Sequence, residues 1–209
     1  MTSYIFFRFK SKLLDSTVQA HALELDKTPN NSEDKQTDHD RLLFGAYNEL
    51  YFPVIFKWDY GRKFCDILDT GWPSLYLISD HLKTSLINNK ITGWETFKIK
   101  LLGKNNKTID GYSGFSITGH CGPIDYSKSK PIYKRIFDEG PLWKYRKGYC
   151  FDINTWDGSD FFIPNKSFQI LITEKTRNLL KEKKHTNISI EKIDNIEISE
   201  ENIEFTEIN

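Results

Sequence analysis

The chain has 209 residues with 29 basic and 29 acidic side chains, so its formal net charge is zero. This length is enough for one large domain or two small ones with a core that needs no staples. The neutral balance excludes a strongly basic nucleic-acid binder or an acidic solvating chain, while local charged patches remain open. Isoleucine is frequent, with 23 residues, and alanine is scarce, with three, which favours strands with some helix.

The three cysteines are Cys65, Cys121 and Cys150, an odd number without a CxxC pair. Free thiols fit a reducing compartment better than a disulfide framework does. Near the start, Arg8 and Lys10 follow a short apolar stretch without a small-residue cleavage site, which does not fit a secretory signal. No apolar run approaches the ~20 residues of a membrane-spanning helix. A cytoplasmic protein without a membrane span is predicted.

Along the chain, the aromatic run at residues 4–9 predicts a strand that is central or covered on both faces. Residues 26–40 hold no apolar side chain except Pro29, and an exposed loop is expected there because little burial offsets the ordering entropy. Residues 50–58 and 64–68 resemble two strands of a hairpin.

A breaker cluster, Asp69-Thr-Gly-Trp-Pro73, is the best candidate for an internal boundary. The prediction is therefore a β-rich N-terminal segment over residues 1–70 and an α+β domain over residues 71–209.

Residues 75–102 and 168–198 share one pattern, which is an apolar strand, a capped helix and a second strand. Ser79 and Thr173 are the predicted helix caps, and each is followed by an acidic residue in the first turn. Duplication of one unit and chance recurrence of a common capped helix both remain open. The predicted fold is α+β, a twisted and mostly antiparallel sheet with two short helices capped by Ser79 and Thr173.

The chemistry-bearing motifs are few. His120 and Cys121 are adjacent, but neighbours on a strand point to opposite faces, so a buried inert thiol is favoured over a catalytic pair. The histidines show neither HExxH nor close pairing, and no phosphate-binding glycine loop or GxSxG elbow is present. No enzyme, no cofactor and no metal site are predicted.

The segment Asp152-Ile-Asn-Thr-Trp-Asp-Gly-Ser-Asp160 departs from the EF-hand pattern, which wants an oxygen ligand at position 5, glycine at 6 and a carboxylate at 12. Asp157-Gly158 is better explained as a tight turn in which Asp157 and Asp160 accept hydrogen bonds from local amides. Some room remains for a surface contact here.

Residues 126–149 interleave basic and aromatic side chains, as single-stranded nucleic acid requires. The acidic stretch at residues 188–209 and the zero net charge oppose long-range attraction to phosphate. A solvated loop with its rings packed inward is favoured, and nucleic acid is not expected as a partner.

Two stretches carry a resemblance to a known family. They are Leu77-Ile-Ser-Asp-His-Leu82 with Ile91-Thr-Gly-Trp94, and Phe151-Asp-Ile-Asn-Thr-Trp-Asp-Gly-Ser-Asp-Phe-Phe162. Together they resemble bacterial immunity-protein-like domains that accompany polymorphic toxins, over roughly residues 64–198. The resemblance implies a cytoplasmic protein that binds and occludes a cognate toxin without catalysis, and it carries over no functional residues.

A surface for such a partner is predicted from charge and aromatic anchors. Toxins that attack nucleic acid need a cationic cleft, which carboxylates can fill, although these acids can also merely solubilise an edge strand. The candidate contact residues are Trp156, Asp157, Asp160, Glu197, Glu200, Glu201 and Glu204. The alternatives are a small hydrolase or transferase with a site near His120 and Cys121, or a nucleic-acid or glycan binder using residues 126–149.

Overall fold

The computed structural model describes residues 4–23, 37–48 and 50–203. The first eight strands there are β1 (Phe6–Ser11), β2 (Gln19–Ala22), β3 (Val54–Tyr60), β4 (Ile67–Asp69), β5 (Tyr76–Ser79), β6 (Trp94–Phe97), β7 (Ile99–Leu102) and β8 (Thr108–Ile109). The others are β9 (Tyr112–Ile117), β10 (His120–Cys121), β11 (Lys130–Arg135), β12 (Leu142–Lys147), β13 (Phe161–Pro164), β14 (Ile170–Thr173), β15 (Ile188–Lys192) and β16 (Glu197–Ser199). The helices are α1 (Asp38–Phe44), α2 (Asp80–Asn88), α3 (Glu174–Glu182) and α4 (Glu200–Ile203).

The described strands form three sheets, and most neighbouring strands are antiparallel. The predicted α+β fold is confirmed. The largest sheet has the order β6-β9-β5-β4-β2-β3-β7-β8. The predicted hairpin of residues 50–58 and 64–68 is wrong, because β2 lies between β3 and β4 and pairs with both. The turn signal between those strands is local, whereas the strand that separates them comes from much earlier in the chain.

The second sheet has the order β10-β13-β14-β1-β15. Its strand β1 pairs antiparallel with β14 on one side and with β15 on the other. Phe6, Phe7 and Phe9 are all buried there, so the aromatic run forms the central strand that its composition predicts. The strand β15 lies at the edge of this sheet, where the acidic C-terminal stretch was predicted to form an edge strand.

The two large sheets contain the same unit twice. The order β6-β9-β5-β4-β2 of the first sheet corresponds to β15-β1-β14-β13-β10 of the second, with the same directions. The register agrees as well, because Ile67 pairs with Ile78 as Phe161 pairs with Ile172, at a constant offset of 94 residues. The N-terminal strand β1 takes the place in the second unit that β9 takes in the first.

Each unit places a capped helix directly after the equivalent strand, α2 after β5 and α3 after β14. Ser79 accepts a hydrogen bond from the backbone of Leu82 at the start of α2, and Thr173 accepts one from Thr176 at the start of α3. Both predicted caps are confirmed. A side-chain acceptor satisfies one of the backbone amides that the first helical turn leaves without a partner.

The principal core joins both units. It includes equivalent side chains from each, such as Ile78 with Ile172 and Leu86 with Leu180. A second cluster covers other residues of the eight-stranded sheet and includes Leu42 of α1, and a third lies on the five-stranded sheet around Phe162.

The helix α1 begins within the segment that the composition assigned to an exposed loop. Thr37 and Asp40 form a capping box at its start, and Asp38 and His39 are buried, so the loop prediction is wrong for residues 38–40. The capping box and the burial of two side chains order this part of the segment. The average polarity of the segment reports neither effect. Residues 26–36 lie outside the described ranges.

The remaining sheet is small, with the order β11-β12-β16. The strands β11 and β12 form a hairpin, and β16 joins the outer side of β12. The predicted domain boundary near residue 70 falls between β4 and β5, which are directly paired. None of the helices in the described ranges has the length and apolar character that crossing a membrane requires.

Candidate functional site

Asp160, one of the predicted contact residues, is buried and ties the two units together. Its Oδ1 accepts a hydrogen bond from Thr173 Oγ1 at 2.8 Å. Its Oδ2 accepts one from the backbone of Thr92, in the other unit, at 3.2 Å and lies 2.8 Å from Lys175 Nζ. One carboxylate therefore joins a helix cap to a loop of the opposite unit.

Asp66 makes the equivalent link from the first unit to the second. It accepts hydrogen bonds from Ser79 Oγ at 2.7 Å and from the backbone and hydroxyl of Thr186 at 2.7 and 2.9 Å. Burial raises the pKa of Asp66, but the polar contacts of His185, Ser79, Thr186 and His81 outweigh it and hold the pKa well below its usual range. The carboxylate is thus a fixed anion at neutral pH.

Two histidines distinguish the Asp66 site from the Asp160 site. His81 Nδ1 lies 2.9 Å from Asp66 Oδ1, and His185 Nδ1 lies 3.5 Å from Asp66 Oδ2. The two imidazole rings are 4.6 Å apart between centroids. At the offset of 94 residues, the Asp160 site carries Lys175 and Ile91 in their places.

The sequence pattern does not reveal this cluster of Asp66, His81 and His185. His81 follows a helix cap and His185 follows the other helix, so no spacing rule relates them. The signal that could have found them is the repeated pattern of the two units, since aligning them places both histidines where the other unit has different residues.

The predicted anchor Trp156 is only partly exposed. Its ring contacts Tyr4, Phe6 and Phe162, and its indole N–H donates to the carbonyl of Ser159 at 3.1 Å. Asp157 accepts hydrogen bonds from the backbone amides of Ser159 and His120 at 2.9 and 3.0 Å. The predicted turn therefore forms at Asp157, whose carboxylate accepts the amide two positions on. The prediction that Asp160 also accepts from local amides is wrong, because its carboxylate bonds Thr92, Thr173 and Lys175 across the fold.

His120 and Cys121 point to different surroundings. His120 is exposed and lies 3.3 Å from Asp157, whereas Cys121 is fully buried and donates to the carbonyl of Gly122. Burial, with a smaller contribution from the nearby Asp157 charge, raises the pKa of the Cys121 thiol to about 12. A thiol in this environment is a poor nucleophile at neutral pH.

The acidic residues near the C-terminus meet the basic hairpin. Glu197 forms ion pairs with Lys134 and Lys147, and Glu200 lies 2.8 Å from Arg146 Nε. The two oppositely charged segments of the sequence therefore neutralise each other in part. Glu201 is exposed, and Glu204 lies outside the described residues.

The tip of the β11–β12 hairpin exposes large apolar side chains. Ile136 and Phe137 in the turn are 63% and 62% exposed, and Tyr133 and Leu142 on the strands are 61% and 58% exposed. Tyr133 pairs across the strands with Lys144, and Leu142 pairs with Arg135. These four strand residues therefore lie on one face of the hairpin. We call the residues of this face and its turn the hairpin surface: Tyr133, Arg135, Ile136, Phe137, Leu142 and Lys144.

The turn that carries this surface is held by its own contacts. Gly140 donates its backbone N–H to the carbonyl of Phe137 at 2.9 Å. The Phe137 ring covers Gly140 so closely that a Cβ there would lie 2.5 Å from it. The Arg135 guanidinium donates to the carbonyl of Gly140 at 3.3 Å. These contacts stabilise the turn at the base of the apolar tip.

Comparison of the chain with protein-family models and with curated proteins gives no match.

Proposed function

We propose that this protein is a cytoplasmic binding protein that neutralises a cognate protein toxin by covering its surface. The observation that carries the proposal is the hairpin surface, an exposed apolar patch at the tip of a projecting hairpin. Patches of this kind, rimmed by polar residues, mark interaction sites more often than isolated exposed side chains do. The resemblance to immunity-protein-like domains supplies the class of partner.

The composition of the hairpin surface supports a protein partner. Tyrosine, phenylalanine and arginine are enriched at interfaces because they combine large contact area with few freely rotating bonds or with fixed donor geometry. The contacts of the turn around Gly140 reduce the entropy that binding would otherwise have to overcome. Phe137 is the expected central anchor.

Charge distribution supports the hairpin surface rather than the acidic segment as the principal contact. Glu197 and Glu200 already pair with basic residues of the hairpin. Engaging a cationic toxin through them would first require those pairs to break. The exposed Glu201 stays a candidate for the rim of the interface, where charge acts mainly on the association rate.

The test uses the protein encoded by the neighbouring reading frame as the candidate toxin. Replacing Ile136 and Phe137 together by serine is expected to weaken its binding by about 10- to 100-fold, because hot-spot anchors each contribute over 1 kcal/mol. Binding is measured by titration calorimetry and protection by survival of cells that co-express the toxin. The matched control is Ile87→Ser, which changes another apolar residue, 57% exposed, on α2.

Four outcomes decide the matter. Loss of binding and protection in the hairpin variant, with an unchanged melting temperature and an unaffected Ile87→Ser control, supports the proposal. Full protection by the hairpin variant contradicts the assigned surface, and no measurable binding of the wild-type protein contradicts the toxin-neutralising function. A salt-dependent shift of labelled single-stranded RNA that the hairpin variant abolishes would instead favour the nucleic-acid alternative.

A further inference from the structure

The Asp66 and Asp160 sites share some contacts and differ in others. The shared contacts are those that the fold itself requires. Asp66 and Asp160 both accept a hydrogen bond from a helix cap and both reach a threonine of the opposite unit. The architecture therefore accounts for the carboxylate, the cap and the threonine. It does not account for His81 and His185, since the Asp160 site maintains the same link without any histidine.

His185 is the more informative of the two histidines. Its side chain is 0% exposed, and within the described residues Nε2 has no hydrogen-bond partner and Nδ1 has only a long contact with Asp66. A neutral imidazole carries one donor and one acceptor, and burying the two with a single long contact is unfavourable. Its Nδ1 faces the Asp66 carboxylate at 3.5 Å, so the ring is aimed into the space that Asp66 and His81 also border.

The three side chains together offer a metal-ligand set. Ligand atoms of Asp66, His81 and His185 all lie within 4.8 Å of one another. Two imidazole nitrogens and one carboxylate oxygen are donors that zinc-class ions use at bond lengths of about 2.0–2.2 Å. We propose that Asp66, His81 and His185 form a binding site for a divalent transition-metal ion of the zinc class.

The three ligand atoms must move slightly closer together to hold an ion. Ligands about 2 Å from a tetrahedral ion stand about 3.3 Å apart, so the widest separation must shorten. His81 can supply this movement, because its side chain is 65% exposed and lies in the first turn of α2. The other two ligands are buried, and the exposed His81 side leaves the fourth position to water.

The surroundings of Asp66 resemble the outer shell of metal sites. Ser79 Oγ donates to Oδ1, and both the backbone and the hydroxyl of Thr186 donate to Oδ2. Hydrogen bonds of this kind orient ligating carboxylates, and losing one typically lowers metal affinity by about 10- to 100-fold. The carboxylate is therefore preorganised before an ion arrives.

The experiment uses the full chain without a polyhistidine tag, stripped of metal by chelator and dialysis. Zn(II) is titrated by calorimetry, and Co(II) is added separately to record the visible absorption of a nitrogen- and oxygen-ligated ion. One ion per chain is expected, because the equivalent Asp160 site carries Lys175 and Ile91. The variants His81→Ala and His185→Ala are each expected to weaken Zn(II) binding by about 10-fold or more.

The matched control is His120→Ala, which removes another exposed histidine lying beside an aspartate, at 3.3 Å from Asp157. Unchanged Zn(II) affinity in this control supports the site. The proposal is overturned if the wild-type chain binds no Zn(II), or if His81→Ala binds it as tightly as wild type. An equal loss of Zn(II) affinity in the His120→Ala control would also overturn it. So would a Zn(II) affinity and a number of bound ions per chain that stay the same in His81→Ala and His185→Ala as in the wild type. Because His81 is exposed, its variant keeps the test valid even if His185→Ala fails to fold.

Discussion

Cys121 illustrates how one side chain's environment fixes its chemistry. The thiol is fully buried, and its pKa is raised to about 12 chiefly by burial. We expect it to resist a neutral thiol reagent at pH 8, because only the thiolate reacts and its population is very small there. The partly exposed Cys150 is expected to react first. Time-resolved labelling followed by peptide mass spectrometry measures the order.

Unfolding in guanidinium provides the control for this order, since all three cysteines should then react at similar rates. Rapid modification of Cys121 in the folded chain would contradict the expectation. It would also restore the alternative of a hydrolase or transferase near His120, because an accessible and ionised thiol is what that chemistry requires.

Among the elements, the loops that meet at Asp160 couple the two units. Removing the carboxylate by Asp160→Ala takes the acceptor from the Thr92 amide and the Thr173 hydroxyl and breaks the ion pair with Lys175, which keeps its hydrogen bond to the Lys90 carbonyl. A loss of roughly 2–5 kcal/mol in the free energy of unfolding is expected from such a partly buried charged network. Urea denaturation of the variant and the wild type measures the difference.

The comparison variant is Asp194→Ala, which removes an acid 61% exposed to solvent in an ion pair with Lys192. A change within about 0.5 kcal/mol is expected there, as for most surface substitutions. The Thr92 hydroxyl donates to Asp160 Oδ2 at 3.3 Å and accepts from the Asp160 backbone amide at 3.1 Å. The double variant Thr92→Ala with Asp160→Ala should therefore lose less stability than the sum of the single variants, because both act on one hydrogen-bond network. Strict additivity would show that Thr92 and Asp160 are not coupled.

The elements that the sequence predicted well are those with local causes. The caps Ser79 and Thr173 lie next to the turns they stabilise, and the aromatic run of β1 shows its burial directly. The false hairpin between β3 and β4 had an equally good local signal. The hairpin prediction fails because β2, which comes from a distant part of the chain, lies between β3 and β4 and pairs with both.

The candidate sites follow the same division. The tight turn at Asp157 was predictable, since an Asx residue accepts hydrogen bonds from amides two positions away. The meeting of His81 with His185 was not, because it depends on how two units pack across a pseudo-symmetric core. The exposure of Phe137 was likewise hidden, since an aromatic residue in a basic segment can pack inward or face solvent.

At the scale of the whole molecule, the strand β1 links the two sides of the predicted boundary at residue 70. It lies between β14 and β15 in the second unit, although it comes from the N-terminal segment. The division at residue 70 predicts that residues 71–209 fold by themselves. The strand order predicts the opposite, because that fragment lacks the central strand of its sheet and would expose Ile170, Ile172 and the apolar core behind them.

We therefore expect a fragment of residues 71–209 to lack cooperative unfolding and to bind a hydrophobic dye. It loses β1 from one sheet and β2, β3 and β4 from the other, which opens strand edges and core faces. Adding a separate fragment of residues 1–70, which supplies these four strands, should restore a cooperative transition, followed by circular dichroism. The control fragment carries Phe7→Ser and Phe9→Ser, which removes two buried rings while keeping the backbone donors and acceptors. A fragment of residues 71–209 that unfolds cooperatively by itself would establish it as an independent domain, and β1 would then be an accessory to a fold complete without it.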